Sequence, residues 1–213
     1  MKIVDPTDEL LLDRLQAFSD VVIGFSIALL GLSLHVPASL AAIGSHAPEL
    51  GVFLVGFALI ALVWWFHNRL FAHYFVANSL SIVLNFAMLA AVVVLVYVIE
   101  AFTTLFNAPS FEYAGYITGV SLWAYSYGVV MTLMGLMFAI GVRERRAQLD
   151  AGRYIWGIER AINSGAGGIA ILIMGAALPH LPPKFAGFIG LVAFIPLIAQ
   201  KFVARRLKTG CAE

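Results

Sequence analysis

Few side chains that can carry a charge lie inside the long apolar stretches of this 213-residue chain. Asp20 stands at the start of the first stretch, and Glu100 lies near the end of the third. An ionisable group inside a membrane is costly and needs a partner, so each one marks a structural or functional site. At the depth of Asp20, the candidate partners are His67, Arg69 and Asn85. Two interpretations stay open: a polar contact that fixes the helices, or a direct role in ion or proton passage.

The remaining chemistry-bearing residues form no catalytic or metal-binding pattern. Cys211 is the single cysteine, so no internal disulfide or cysteine-rich metal site can form. Asp20 and His67 are the only plausible acid–base pair, and no nucleophile or metal set accompanies them. We therefore expect no enzyme, no cofactor and no bound metal. The other histidines fall in predicted loops and lack the i, i+4 spacing of ligands on one helix: His35, His46, His73 and His180.

The composition explains why so few charges are available. Apolar residues make up 62% of the chain and charged residues 12%, with a mean hydropathy of +0.94. A soluble domain carries roughly 25% charged residues because its surface must meet water. The chain is therefore predicted to be an all-α integral membrane protein. A soluble enzyme and a nucleic-acid binder are excluded, and the net charge of +1 gives no field that attracts polyanions.

The apolar stretches predict six transmembrane helices in one domain that covers residues 1–213. Each stretch contains about the 20 mostly apolar residues that a bilayer core requires. Prolines and a basic stretch at 143–153 separate them. The predicted spans are 16–36, 49–71, 79–106, 114–142, 158–178 and 184–204.

The positions of lysine and arginine predict the orientation. Twelve of the 13 basic residues lie at the termini or in the second and fourth connections, and only Lys184 lies on the other side. Basic residues accumulate on the cytoplasmic side of membrane proteins. We therefore expect a multi-pass protein of the inner (plasma) membrane with both termini cytoplasmic. The clusters at 143–160 and 201–208 are interpreted as topology signals and lipid headgroup contacts.

The first helix carries a bulky apolar stripe. At about 100° per residue, Phe18, Leu29 and Leu32 fall near Phe25, and Asp20 points about 140° away. Such a stripe faces either lipid or a partner. Small residues flank it and allow close helix approach: Gly24, Ser26, Ala28, Gly31 and Ser33.

Three short motifs resemble those of a known family. Residues 14–20 have the pattern R-x-x-x-F-S-D, directly before an apolar helix. Residues 64–71 have the pattern W-x-x-H-x-R-L-F, and residues 84–85 are L-N. Together they resemble the endosomal/lysosomal potassium channel family, the transmembrane protein 175 family, in its bacterial branch. The matching motif residues are Arg14, Phe18, Ser19, Asp20, Trp64, His67 and Asn85.

The resemblance implies a fold and a function. Bacterial members are six-helix subunits that form homotetramers, in which the first helices surround a central pore. They pass K⁺ in preference to Na⁺ without a TVGYG filter, and this sequence also lacks that motif. Phe25, Leu29 and Leu32 match the positions that form the family's constriction. The expected partners are the chain itself and membrane lipid, without nucleic acid.

The sequence departs from the family at two pore positions. Phe25 stands where isoleucine or leucine is frequent, and Ala28 stands where threonine is common. Ala28, Ser26 and Ser33 are the candidate residues of the ion path. The leading prediction is a passive, potassium-selective channel with a hydrophobic constriction on the first helix. The alternatives are a weakly selective cation or proton channel and a small secondary transporter.

Overall fold

Five long helices make up the part of the chain that the computed structural model describes, which is residues 6–36, 39, 44, 46–106 and 113–182. All five are long and apolar enough to cross a membrane. The predicted sixth span at 184–204 lies outside the described residues. The helices are α1 (Pro6–Leu32), α2 (Ala47–His73), α3 (Ser79–Phe106), α4 (Tyr113–Glu144) and α5 (Ala151–Ala177), followed by a 3₁₀ turn (Leu178–His180).

Short connections join consecutive helices. Residues 74–78 join α2 to α3, and residues 145–150 join α4 to α5. α5 begins seven residues before the predicted span, because Asp150 caps it: the carboxylate accepts a hydrogen bond of 2.8 Å from the backbone N–H of Arg153. The basic stretch predicted as a break is therefore partly helical. A helix can extend past the apolar core of the bilayer wherever its polar end reaches water.

Helices α1 to α4 share one apolar core. Helix α1 contacts both α2 and α3, and α3 contacts α4. Because the apolar side chains of α1 recur at helical spacing, one of its faces enters this core. Fully buried members from the four helices include Ile23, Leu30, Ile60, Leu70, Met88, Leu95, Val130, Met134 and Phe138.

Glycines bring α4 and α5 into direct backbone contact. A Cβ atom on Gly135 would overlap the backbone N and Cα of Gly165, and one on Gly168 would overlap Thr132. Small residues permit such close approach in a membrane, where packing rather than the hydrophobic effect drives helix association. Gly165 and Gly168 therefore lie at the closest approach of α5 to α4.

Candidate functional site

The site is built around a buried hydrogen-bond chain that links three helices. Ser19 on α1, His67 on α2 and Asn85 on α3 are each fully buried. The His67 Nε2 atom lies 2.9 Å from Asn85 Oδ1, and Asn85 Nδ2 donates to Ser19 Oγ over 3.1 Å. Ser19 Oγ in turn donates to the carbonyl of Leu15 over 2.8 Å. Three residues of the sequence motifs are therefore brought together by the fold.

The hydrogen-bond chain has a consistent direction. With the Asn85 amide placed so that its oxygen accepts from His67, the proton of the imidazole is on Nε2. The Asn85 amide nitrogen then donates to Ser19, and the Ser19 hydroxyl donates its own hydrogen bond to the backbone carbonyl of Leu15. Nδ1 of His67 is buried and has no partner among the described residues. The amide oxygen and the amide nitrogen of Asn85 each have a hydrogen-bond partner in this network, whereas Nδ1 of His67 has none within the described residues.

Asp20 has a different partner from those predicted. Its Oδ1 atom accepts a hydrogen bond of 2.9 Å from the indole Nε1 of Trp64, so the expectation of His67, Arg69 or Asn85 as the partner is wrong. Asp20 is half-buried, whereas Ser19, His67 and Asn85 are fully buried. An indole N–H can only donate, so it can pair with the Asp20 carboxylate without bringing a second charge into the contact. Gln16 adds a parallel contact to Asn68 over 3.2 Å.

The other two motif residues lie outside this network. Arg14 is exposed on α1. Phe18 is half-exposed, and its ring packs edge-on against that of Phe86 on α3, with centroids 5.8 Å apart. Phe18 therefore contacts α3 on one side, yet it stays about as exposed as Leu29 farther along the predicted stripe.

The remainder of the stripe is open along α1. Phe25 is 65% exposed, Leu29 41% and Leu32 81%, and Ala28 lies exposed between them. The opposite face enters the core through Leu15, Ser19, Ile23, Ser26 and Leu30. Helix α1 therefore presents a second apolar face that the described part of the chain does not cover. In a membrane, such a face meets lipid or another protein.

Ser26 and Ser33, the two candidate serines of the ion path, lie beside the exposed stripe of α1 rather than on it. Ser26 Oγ donates to the carbonyl of Val22, and Ser33 Oγ donates to that of Leu30, each over 2.8 Å. Both serines line a groove of about 360 Å³ between α1 and α3, together with Leu29, Leu32, Val93, Val96, Tyr97 and Glu100. Their protons are used within α1, whereas oxygen lone pairs stay available.

A second polar cluster lies at the opposite end of α1 and α2, and the sequence reasoning missed it. Glu49 is buried, and its Oε1 accepts from the backbone N–H of His35 at 2.8 Å and lies 2.9 Å from His35 Nδ1. Its Oε2 lies 3.1 Å from Nδ1 of His46. An acid in the first turn of an apolar helix was a usable signal. Within the described part of the chain, no group of three histidine, cysteine or acidic residues is arranged to hold a metal ion.

Comparisons with known proteins agree with the motifs. The profile of the family described as "Endosomal/lysosomal potassium channel TMEM175" matches residues 14–95, which contain all three motifs. That family is one of ion channels and not of enzymes. A protein of Marivirga tractuosa named "Potassium channel" is 31% identical over 84 residues, which are 39% of this chain. The matched segment spans about a third (34%) of that relative.

A solved structure shares the fold over almost the whole chain. The crystal structure of a variant of the potassium channel MtTMEM175, in complex with a nanobody–MBP fusion protein, matches with a TM-score of 0.67. The match covers 92% of this chain and 93% of the other, at 18% sequence identity. The sequence motifs and the profile match over residues 14–95 make this chain similar to the TMEM175 family, and its fold is similar to that of the solved channel.

Proposed function

We propose that the chain is one subunit of a passive cation channel that passes potassium in preference to sodium. Four copies surround a central pore in this proposal, and α1 of each copy lines it. The single observation that carries the proposal is the apolar face of α1 that the described residues leave uncovered, at Phe25, Leu29 and Leu32. The match of residues 14–95 to the TMEM175 family profile supports the assignment, because it covers α1 from Arg14 onward.

The proposed constriction consists of rings of these three side chains. An ion cannot carry its water shell through a narrow apolar ring, so such a ring gates by losing its water. Ala28 lies on the same exposed face and supplies no hydroxyl to an ion. Ser26 and Ser33 line the neighbouring groove and would offer oxygen atoms after a rotation of α1. Potassium is the permeant ion, and the mechanism requires no cofactor.

The buried polar chain positions α1 in this mechanism. Ser19 is joined through Asn85 to His67, so α1 is tied to both α2 and α3 at one depth. The Asp20–Trp64 contact ties α1 to α2 nearby. These bonds lie on faces other than that of Phe25, which leaves the stripe free to meet the same stripe of neighbouring subunits. Proton passage through His67 and Asn85 is not part of the proposal.

The proposed setting follows the distribution of charge. Both termini lie in the cytoplasm and the subunit sits in the inner (plasma) membrane, in contact with lipid and with other copies of itself. Support comes from the basic residues at the matching ends of the helices, such as Arg69 at the end of α2, and Arg143 and Arg153 around the α4–α5 connection.

Ion flux through the reconstituted protein tests the proposal. In liposomes with a potassium gradient, Phe25→Ala should raise K⁺ flux severalfold, because it removes a bulky ring from the constriction. The matched control is Phe57→Ala, which removes an exposed phenylalanine from α2. If the K⁺ flux of Phe25→Ala equals that of the unsubstituted protein, the proposal that α1 lines the pore is wrong.

Reversal potentials in potassium, sodium and pH gradients separate the alternatives. A potential that follows the potassium gradient supports the proposal. Equal permeability to K⁺ and Na⁺ would make the protein a weakly selective cation channel, and a potential that follows pH would make it a proton channel. Flux that saturates and requires a counter-ion would indicate a secondary transporter instead.

A further inference from the structure

A polar pocket lies where the end of α2 meets the start of α5. It has a volume of about 360 Å³, which is within the range of ligand pockets. Its lining contrasts with the apolar surface of the helices, because it combines basic and aromatic side chains. These are Trp65, Arg69 and His73 of α2, Tyr74 just after that helix, and Arg153 and Trp156 of α5.

Contacts around the pocket hold its two guanidinium groups in place. The guanidinium of Arg69 lies 5.8 Å from the centre of the Trp65 ring. The hydroxyl of Tyr74 donates to the backbone carbonyl of Arg153 over 2.8 Å, which fixes the start of α5 against the end of α2. Nε of Arg153 lies 3.3 Å from a carboxylate oxygen of Asp150, which is mostly exposed and lies outside the lining. A guanidinium has five N–H donors, so this ion pair uses only part of Arg153.

Two groups near the pocket are partly removed from water. Burial raises the pKa of the Tyr74 hydroxyl to about 12, so that group is a neutral donor at physiological pH. One turn deeper on the same face of α5, Arg160 packs over the rings of Phe66 and Trp156, at 5.1 and 5.5 Å. Its Nε atom is buried and has no hydrogen-bond partner within the described residues. A third guanidinium therefore lies one turn beyond the pocket, outside its lining.

We propose that this pocket binds the phosphate group of an anionic lipid headgroup. The guanidinium fork of arginine matches phosphate oxygens with two parallel hydrogen bonds. Tryptophan and tyrosine favour the headgroup level of a bilayer, where the spanning helices α2 and α5 have their polar ends. Basic pockets between transmembrane helices are a recognised form of headgroup site. The pocket lies away from the exposed stripe of α1, and the proposal does not depend on ion conduction.

The test is binding of soluble short-chain lipids to the purified full chain in detergent, followed by thermal unfolding. Short-chain phosphatidic acid should stabilise the protein in a saturable way, whereas short-chain phosphatidylcholine should not. Arg69→Gln and Arg153→Gln should each weaken the apparent affinity by about fivefold, since each removes one charge near the phosphate. The matched control is Arg143→Gln, which removes an exposed charge at the end of α4, outside the pocket.

Two further arms keep the proposal falsifiable. Arg69→Lys retains the charge and should bind more tightly than Arg69→Gln, which separates phosphate binding from a structural role of the side chain. Inorganic phosphate alone should bind more weakly than the lipid; equal affinity would reassign the pocket to free phosphate and overturn the lipid assignment. Unchanged affinity in both pocket variants, or an equal loss in Arg143→Gln, would overturn the site itself. Because this assay does not measure flux, its failure would leave the channel proposal intact.

Discussion

Replacing Ser19 with alanine separates the role of the buried polar chain from that of an ordinary helical serine. Ser19 and Ser26 both lie on the buried face of α1, and each donates over 2.8 Å to the carbonyl four residues earlier. Ser19 differs because it also accepts a hydrogen bond from Asn85 on α3. Ser26→Ala is therefore a matched control that removes the same atom and the same local bond. The difference between the two variants isolates the interhelical bond.

The size of that difference follows from the geometry. In Ser19→Ala, an amide N–H of Asn85 loses its acceptor at a fully buried position. An unsatisfied buried donor costs about 1–3 kcal/mol. Hydrogen bonds between membrane helices average about 0.6 kcal/mol, with a maximum of about 1.7. We expect Ser19→Ala to lower the free energy of unfolding by about 1 kcal/mol more than Ser26→Ala does, within that range. For a chain of this size, the melting temperature should fall by a further 2–4 °C or so.

The measurement is thermal unfolding of the purified protein in detergent, followed by tryptophan fluorescence. A double-mutant cycle between Ser19→Ala and Asn85→Ala should return a coupling energy of the same size, because both changes remove one shared bond. Equal melting temperatures for Ser19→Ala and Ser26→Ala would refute the reasoning. Strictly additive effects in the cycle would do the same, since they would mean that the two side chains do not interact energetically.

Two further changes test other contacts. Glu49→Gln should lower the free energy of unfolding by about 1–2 kcal/mol, because it weakens charge-assisted hydrogen bonds at a buried position; Glu144→Gln, at an exposed residue, should have no measurable effect in the same thermal assay. Gly135→Ala should lower the melting temperature sharply or prevent folding, since its Cβ would overlap the backbone of α5. Gly51→Ala is the control, because its Cβ meets nothing within 4 Å, and alanine is the better helix former by about 1 kcal/mol. A Gly135→Ala protein as stable as its control would contradict the close approach of α4 and α5.

The sequence predicted the helices well because apolar length is a strong signal in a membrane protein. The bounds of α3 agree with the prediction at both ends, and the described residues leave the face of α1 that carries Phe25 uncovered. The start of α5 was missed because basic residues suggested a loop, although a capped helix can carry them into the headgroup region. Whether the uncovered face lines a pore stays a prediction.

Side-chain partners were harder to predict. Periodicity gives the direction of Asp20 on α1 but not the rotation of α2 against it. That rotation brings Trp64 to the carboxylate and sends His67, nearly one turn later, into the core toward Asn85. The sequence reasoning named His67, Arg69 and Asn85 as candidate partners of Asp20, whereas the donor in the structure is the indole of Trp64. The contacts of the buried Glu49 were also not predicted. Its partners, His35 and His46, lie outside the helices, so helical periodicity does not indicate where their side chains point.

The contacts of Glu49 have a mechanical consequence for α1. At one end, Gln16 and Asp20 join α1 to α2; beyond the other end, His35 is held by Glu49 at the start of α2. The two helices are thus joined by hydrogen bonds at both ends of the α1–α2 pair. Rotating α1 alone by one side-chain position, about 100°, would break the hydrogen bonds at both ends. A tilt of α1 and α2 together as a rigid pair would break neither set. Any movement that widens a passage along α1 should therefore carry α2 with it.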